Sequence, residues 1–202
     1  MPTPWHYEDA AVRIRKICVG AYENNVYVVA DASSGTAVII DAAADPDRIV
    51  TETADVTPIA ILTTHGHFDH VGAATEVAER LDIPFRIHEA DAEMADISPN
   101  DPLSPGALDV GGLVIEALHT PGHTPGSMCF RVGAVVLTGD TLFPGGPGAT
   151  HGDPASFAAI ISSIETALFT LPAGTIVMPG HGLDTTIDTE APSLAEWVSR
   201  GW

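Results

Sequence analysis

The chain begins with three segments rich in apolar positions, Val12–Cys18, Asn25–Ala30 and Thr36–Asp41. Each is bounded by turn-forming residues and predicts a strand, with Ser33-Ser34-Gly35 as the hairpin turn between the last two. Pro46–Ala54 predicts a short helix and Ile59–Thr63 a buried strand. Over His70–Leu81, the residues Val71, Ala74, Ala78 and Leu81 fall on one face at helical spacing. Pro84–His88 then predicts a strand, Glu89–Asp96 a short helix and Asn100–Gly106 a loop.

The second half repeats this order. Ala107–His119 predicts paired strands around Gly111-Gly112, and Ser127–Val132 with Ala134–Thr138 a hairpin across Gly133. Pro144–Gly152, PGGPGATHG, is a long glycine-rich loop. Asp153 caps the strongest helix, with Pro154 at its first position and Phe157, Ile160, Ile161, Ile164 and Leu168 on one apolar face. Thr175–Met178 predicts the last strand and Ser193–Ser199 a closing helix. Periodicity thus gives a chain of mixed α and β structure in two similar halves. No linker or low-complexity segment divides it, so a single domain over residues 1–202 is expected.

Composition narrows the function. With 202 residues and 45% apolar content the chain can build a substantial core. No apolar run reaches the roughly 18 residues a membrane span needs, so no membrane association is expected. The first residues lack a secretory h-region, which points to a cytoplasmic protein. Cys18 and Cys129 both fall in strand-like runs and read as reduced core residues. The formal charge of −19 argues against nucleic acid as a partner. The glycine-rich loop lacks a phosphate-binding pattern, and no GxSxG nucleophile motif occurs.

The chemistry concentrates in His65-Gly66-His67-Phe68-Asp69-His70, directly after the strand predicted at Ile59–Thr63. Three imidazoles and a carboxylate in six residues are a divalent-metal signature, because poorly paired polar groups at a buried strand end are costly without a cation. His123 in HTPGHTPGS, Asp140 in VVLTGDTLF and His181 in VMPGHG each follow an apolar run or sit in a Pro/Gly-rich turn. Five His and two Asp suffice for two metals sharing a carboxylate, with zinc, iron and manganese as candidates. His88 reads as the end of a strand near the surface, and His6 as part of a frayed terminus. Phe68, Phe143 and His151 are candidate substrate contacts.

HGHFDH, HTPGHTPGS, GDTLF and PGHG, in this order between residues 65 and 182, resemble the motifs of the metallo-β-lactamase superfamily. Within it they look like the small hydroxyacylglutathione hydrolases, the glyoxalase II-like branch. The resemblance implies an α+β fold, a four-layer αβ/βα sandwich. It implies that His65, His67 and His123 hold a first metal, that Asp69, His70 and His181 hold a second, that Asp140 bridges them, and that His119, four residues before His123, structures its loop rather than binding metal. The metals are expected to be two divalent ions, zinc first, with iron or manganese as alternatives. The activity implied is hydrolysis of a small-molecule thioester by a bridging hydroxide, which Asp69 helps to orient.

The departures matter as much. A carboxylate at Asp140, where the β-lactam-hydrolysing branch commonly has Cys, disfavours antibiotic hydrolysis. About twenty residues follow PGHG, so the helical domain that supplies glutathione contacts in longer relatives is not expected. The loop Pro144–Gly152 carries no Arg or Lys, where single-domain relatives often place an Arg, so a thioester of another thiol carrier is expected. Two alternatives stay open: a mononuclear iron persulfide dioxygenase using the first three His, and a lactone or ester hydrolase on the same site. The sequence carries no signal for oligomeric state.

Overall fold

The computed structural model describes residues 1–97 and 101–201. Asn100, the first residue of the predicted Asn100–Gly106 loop, lies outside the described residues. One sheet contains β1 (Tyr7–Glu8), β2 (Val12–Val19), β3 (Asn24–Asp31), β4 (Thr36–Ile40), β5 (Thr57–Leu62) and β6 (Phe85–Arg86), side by side in chain order. The first four run antiparallel to their neighbours, whereas β5 and β6 join in parallel. Helices α1 (Pro46–Glu52), α2 (Phe68–Val71) and α3 (Ala74–Leu81) make the crossovers. The second sheet contains β7 (Gly106–Val110), β8 (Leu113–His119), β9 (Met128–Val132) and β10 (Val135–Gly139). After the small ribbon β11 (Leu142–Phe143) and β12 (Gly146–Pro147), helix α4 (Pro154–Ser163) leads to β13 (Ile176–Pro179) and β14 (Thr185–Thr186). Strand β13 lies parallel to β10, and β14 closes that edge. Helices α5 (Ile187–Glu190) and α6 (Leu194–Arg200) end the chain.

Side-chain alternation sorts the core into three layers between four layers of structure. Tyr27 and Val29 of β3, Val38 and Ile40 of β4, and Phe130, Val135 and Leu137 of the second sheet pack together between the sheets. The opposite faces point outward to helices. Val26, Val28 and Ile39 meet Ile49 of α1 and Val77 of α3, and Cys129, Val136 and Val177 meet Ile160 of α4 and Trp197 of α6. Strands buried on both faces explain the nearly continuous apolar runs in the sequence. This is the four-layer sandwich that the motifs imply.

Several expected elements differ. The helix expected over His70–Leu81 is two helices, starting at Phe68 and broken at Gly72-Ala73. There the Ala73 N–H leaves the helical ladder and donates to Ala42 O at 3.0 Å. Gly72 also rests so close to Ala43 O that a Cβ would lie 2.8 Å from it. In α3 the buried residues are Ala74 and Val77, with Val77 taking the place expected of Ala78. Glu89–Asp96 keeps only a short 3-10 turn at Glu89–Asp91. The glycine-rich loop Pro144–Gly152 contains β12, and the strand predicted to be last is followed by β14. Cys18 is exposed on β2, its strand burying Ile17 and Val19 on the other face, so only Cys129 is a core cysteine.

Where the sequence and structure agree most closely is α4. The Asp153 carboxylate accepts from Ser156 N at 2.8 Å, and Pro154 opens the helix. A single π-helical turn, Ile164–Leu168, then extends its apolar face.

Phe130 fills the layer between the sheets and is fully buried. Phe130→Ala is expected to lower unfolding stability by about 3–5 kcal/mol, read as a shift of the urea midpoint, because the flanking sheets cannot collapse into the void.

Candidate metal centre

All seven predicted ligands converge where the two sheets present the C-terminal ends of β5, β10 and β13. The loop after β5 delivers His65, His67, Asp69 and His70, the β8–β9 connection delivers His123, and the ends of β10 and β13 deliver Asp140 and His181. His67 Nδ1 lies 2.9 Å from His123 Nε2, and the ligating atoms of His65 complete that triad within 4.8 Å. His70 Nε2 lies 3.3 Å from His181 Nε2 and 3.7 Å from Asp69 Oδ2, which is 3.5 Å from His181 Nε2. Asp140 faces both groups: Oδ1 is 3.4 Å from His70 Nε2, and Oδ2 is 3.7 Å from both His123 Nε2 and His181 Nε2. Two ligand atoms on one tetrahedral zinc-like ion are about 3.4 Å apart, given bonds of about 2.1 Å. These spacings are therefore those of atoms sharing a cation.

The far ring nitrogens settle the tautomers. His70 Nδ1 donates to Asp41 Oδ2 at 2.9 Å, His123 Nδ1 to Ala149 O at 2.8 Å, and His181 Nδ1 to Tyr22 O at 2.9 Å. Thr64 Oγ1 donates to Asp41 Oδ2, so its lone pair accepts from His65 Nδ1 at 3.0 Å. Around a bound cation each of these rings would turn a bare Nε2 toward the cluster. His65 Nε2 and Asp140 Oδ1 are buried, with no hydrogen-bond partner. Buried acceptors without a donor are atoms that a bound cation would satisfy.

Electrostatics agree. Burial, then the neighbouring imidazoles, hold His65 well below its ordinary value, and burial and His123 lower His67, so both stay neutral as ligands require. Burial also pulls His70 down. The hydrogen bond and charge of Asp41, reinforced by Asp140 and Asp69, overcome it and raise that ring to about 9. Positive charge is favoured at this point of the site. Burial raises the Asp69 carboxyl, but the Asn24 hydrogen bond and His70 outweigh it, so the group stays ionised.

Three supporting residues were missed by sequence reasoning. Asp41 ends the apolar run of β4 in the left-handed region at φ 59 and also accepts from Thr64 N at 2.7 Å. An acid closing a buried strand was the available signal. Asp91 is fully buried and accepts from Gly66 N, Thr124 Oγ1 and Gly126 N at 2.6–2.9 Å, joining the two loops that carry His65, His67 and His123. Asn24 Nδ2 donates to Asp69 Oδ2 at 3.1 Å. Neither Asp91 nor Asn24 stands out from its neighbours in the chain. Gly180 is required by close approach, since a Cβ there would lie 2.4 Å from Asp140 Oδ1.

The other expectations fare differently. His119 Nε2 bonds Pro125 O at 2.9 Å and structures its loop. His88 lies beyond β6 and stacks on His119, ring centroids 4.5 Å apart. His6 is no frayed residue, because its Nε2 pairs with Asp184 at 2.6 Å. Two cavities flank the cluster. One, of about 390 Å³, contains Phe68 and Asp69, and the other, of about 370 Å³, contains Phe143, His123 and Asp140. His151 lines neither and is exposed, its ring 6.5 Å from that of His123.

The family model described as the metallo-beta-lactamase superfamily matches residues 19–181, which contain every ligand described. The chain belongs to this superfamily. Its members are mostly metal-dependent hydrolases. A probable metallo-hydrolase of Bacillus subtilis, YqgX, is 36% identical over 198 residues, covering 87% of this chain and 93% of the relative. The hydroxyacylglutathione hydrolase GloC of Haemophilus influenzae is 33% identical, covering 90% and 96%. Among solved structures, TTHA1623 in a di-iron-bound form superposes with a TM-score of 0.76 at 34% identity, covering 88% of this chain and 96% of that one. The B3 metallo-beta-lactamase BLEG-1 gives 0.79 at 31% identity, covering 89% and 96%.

Protein purified without chelator is expected to carry two divalent ions per chain by elemental analysis, and Asp140→Ala to lose at least one of them. Asp91→Ala strands three buried donors, each worth about 1–3 kcal/mol when unpaired. It is expected both to lower the melting temperature and to weaken metal retention about 10–100-fold in a chelator competition. Unchanged retention would show that the two loops hold their ligands without it.

Proposed function

We propose that this protein is a dinuclear metal-dependent hydrolase acting on a small thioester whose thiol carries no carboxylate. The observation that carries the reading is the pair of ligand sets joined at Asp140, with His65 Nε2 and Asp140 Oδ1 left open. The di-iron form of TTHA1623 supports two ions on such a scaffold, and the name of GloC supports a thioester. Bound divalent ions would supply an activated water and polarise the acyl carbonyl. The remaining work falls to the chain. Asp69, fixed by Asn24, presents an ionised carboxylate that can orient the attacking water and accept its proton. Neutral His65 and His67 leave the metal-facing nitrogens free. The departing thiolate needs little protonation because thiols are acidic. Neither cysteine serves as nucleophile: burial pushes Cys129 up to about 11, and Cys18 is exposed on β2, outside the cluster.

Two readings compete. A mononuclear iron oxygenase would need only His65, His67 and His123, and the complete second set Asp69, His70 and His181 favours the hydrolase. A lactone or ester would use the same site, and the thioester is preferred on the likeness to GloC.

The cavity at Phe143–Ala149 has no Lys or Arg among its lining residues, so the carboxylates of glutathione meet no cation there. S-lactoylglutathione is expected to show a raised KM relative to the same acyl group on an uncharged thiol, with kcat affected less, since contacts remote from the carbonyl act on binding. Ala149→Arg is expected to lower KM for the glutathione thioester alone. A low-micromolar KM of the unmodified protein for S-lactoylglutathione, or equal effects of the substitution on both substrates, would overturn the substrate assignment. Oxygen consumption with a thiol persulfide in place of thioester turnover would overturn the hydrolase.

A further inference from the structure

The cavity beside Asp69 is larger than a lactoyl group needs, and its walls are apolar. At about 390 Å³ it falls within the range of small-molecule sites. Tyr22, Ala44, Pro46, Phe68 and Ala73 line it, and Asp69 belongs both to its wall and to the metal cluster. Tyr22 and Phe68 are 60% and 66% exposed and meet edge to face with centroids 5.4 Å apart. Two large aromatic rings left in solvent beside a reactive centre are an unfilled contact surface.

The walls are preformed. His181 Nδ1 donates to Tyr22 O, so the turn bearing Tyr22 is tied to a metal-facing imidazole. Gly20 N donates to Asp45 Oδ2 at 2.9 Å, which fastens the same turn to the start of α1. The rim is acidic. Asp45 and Glu76 line it, no Lys or Arg does, and nearby Arg80 divides its charge between Glu76 at 3.1 Å and Asp47 at 2.8 Å.

This cavity borders the cluster at Asp69, and the Phe143–Ala149 cavity borders it at His123 and Asp140, so a substrate carbonyl held between Asp69 and Asp140 could send one arm into each. We propose that the Tyr22–Phe68 cavity is the acyl site and that it selects neutral, apolar acyl groups longer than lactoyl, rejecting acyl groups that end in a carboxylate. The proposal rests on the thioesterase reading for the identity of the arm. The chemistry of the cavity itself does not depend on that reading.

The test uses the metal-loaded protein and acyl thioesters of one uncharged thiol, N-acetylcysteamine. From acetyl to butyryl to hexanoyl, kcat/KM is expected to rise by up to about fourfold per buried methylene. A glutaryl thioester should fall below butyryl. Ala44→Leu, which narrows the cavity, should lower the hexanoyl-to-acetyl ratio severalfold. A flat series with measurable turnover, or a ratio unchanged in Ala44→Leu, overturns the acyl site and leaves the thioesterase intact. A second measurement needs no hydrolysis: calorimetric titration with acetate, butyrate and hexanoate. If no thioester is turned over, affinity that rises with chain length and is lost in Ala44→Leu keeps the cavity and overturns the thioesterase. Affinity independent of chain length overturns the cavity.

Discussion

Three carboxylates, Asp41, Asp69 and Asp140, converge on one largely buried point with only imidazoles to oppose them. Charges of one sign brought out of water together are unstable unless a cation joins them. The rise of His70 to about 9 expresses that demand, because without a metal the proton is the only cation to hand. In a chain of net charge −19, distant surface groups give no relief. The site is thus suited to hold positive charge, and the fold around it holds the acids together against their repulsion.

Backbone does much of that holding. Thr64 links the sheets: its N–H and hydroxyl donate to Asp41, and its carbonyl accepts from Met128 N at 2.7 Å. Asp91 ties Gly66 to Gly126, and Asn25 N reaches Gly180 O at 2.7 Å, joining the start of β3 to the His181 turn. Each of these bonds crosses between elements far apart in sequence. The ligands are therefore positioned only when both sheets have docked, so metal affinity and folding stability are coupled.

The order of the candidate ligands was plain in the sequence because the family motif carries them at strand ends, where apolar runs stop abruptly. The sandwich was legible for a related reason: strands buried on both faces leave long apolar runs and clear turns. What escaped was whatever depends on partners elsewhere in space. The break at Gly72-Ala73 arises from contacts with Ala42 and Ala43, which helical periodicity does not encode. His6 reads as a loose terminal residue until Asp184, 178 positions away, is set against it. Asp91 sits in an acidic stretch, HEADAE, that resembles an exposed turn, and only its three donors distinguish it from Glu89 and Glu93.

Likeness to GloC and to BLEG-1 at nearly equal identity shows how little the scaffold fixes the substrate. On the proposed reading the cluster would act on the carbonyl and be indifferent to what lies beyond it. Discrimination must come from the flanking walls, and here both lack cations. An anionic arm on either side would lose its hydration without gaining a partner, while the acidic rim at Asp45 and Glu76 repels it further. A neutral arm loses nothing polar and gains the faces of Tyr22 and Phe68. The same excess of negative charge that suits the centre to divalent metals would thus favour the uncharged substrate proposed for it.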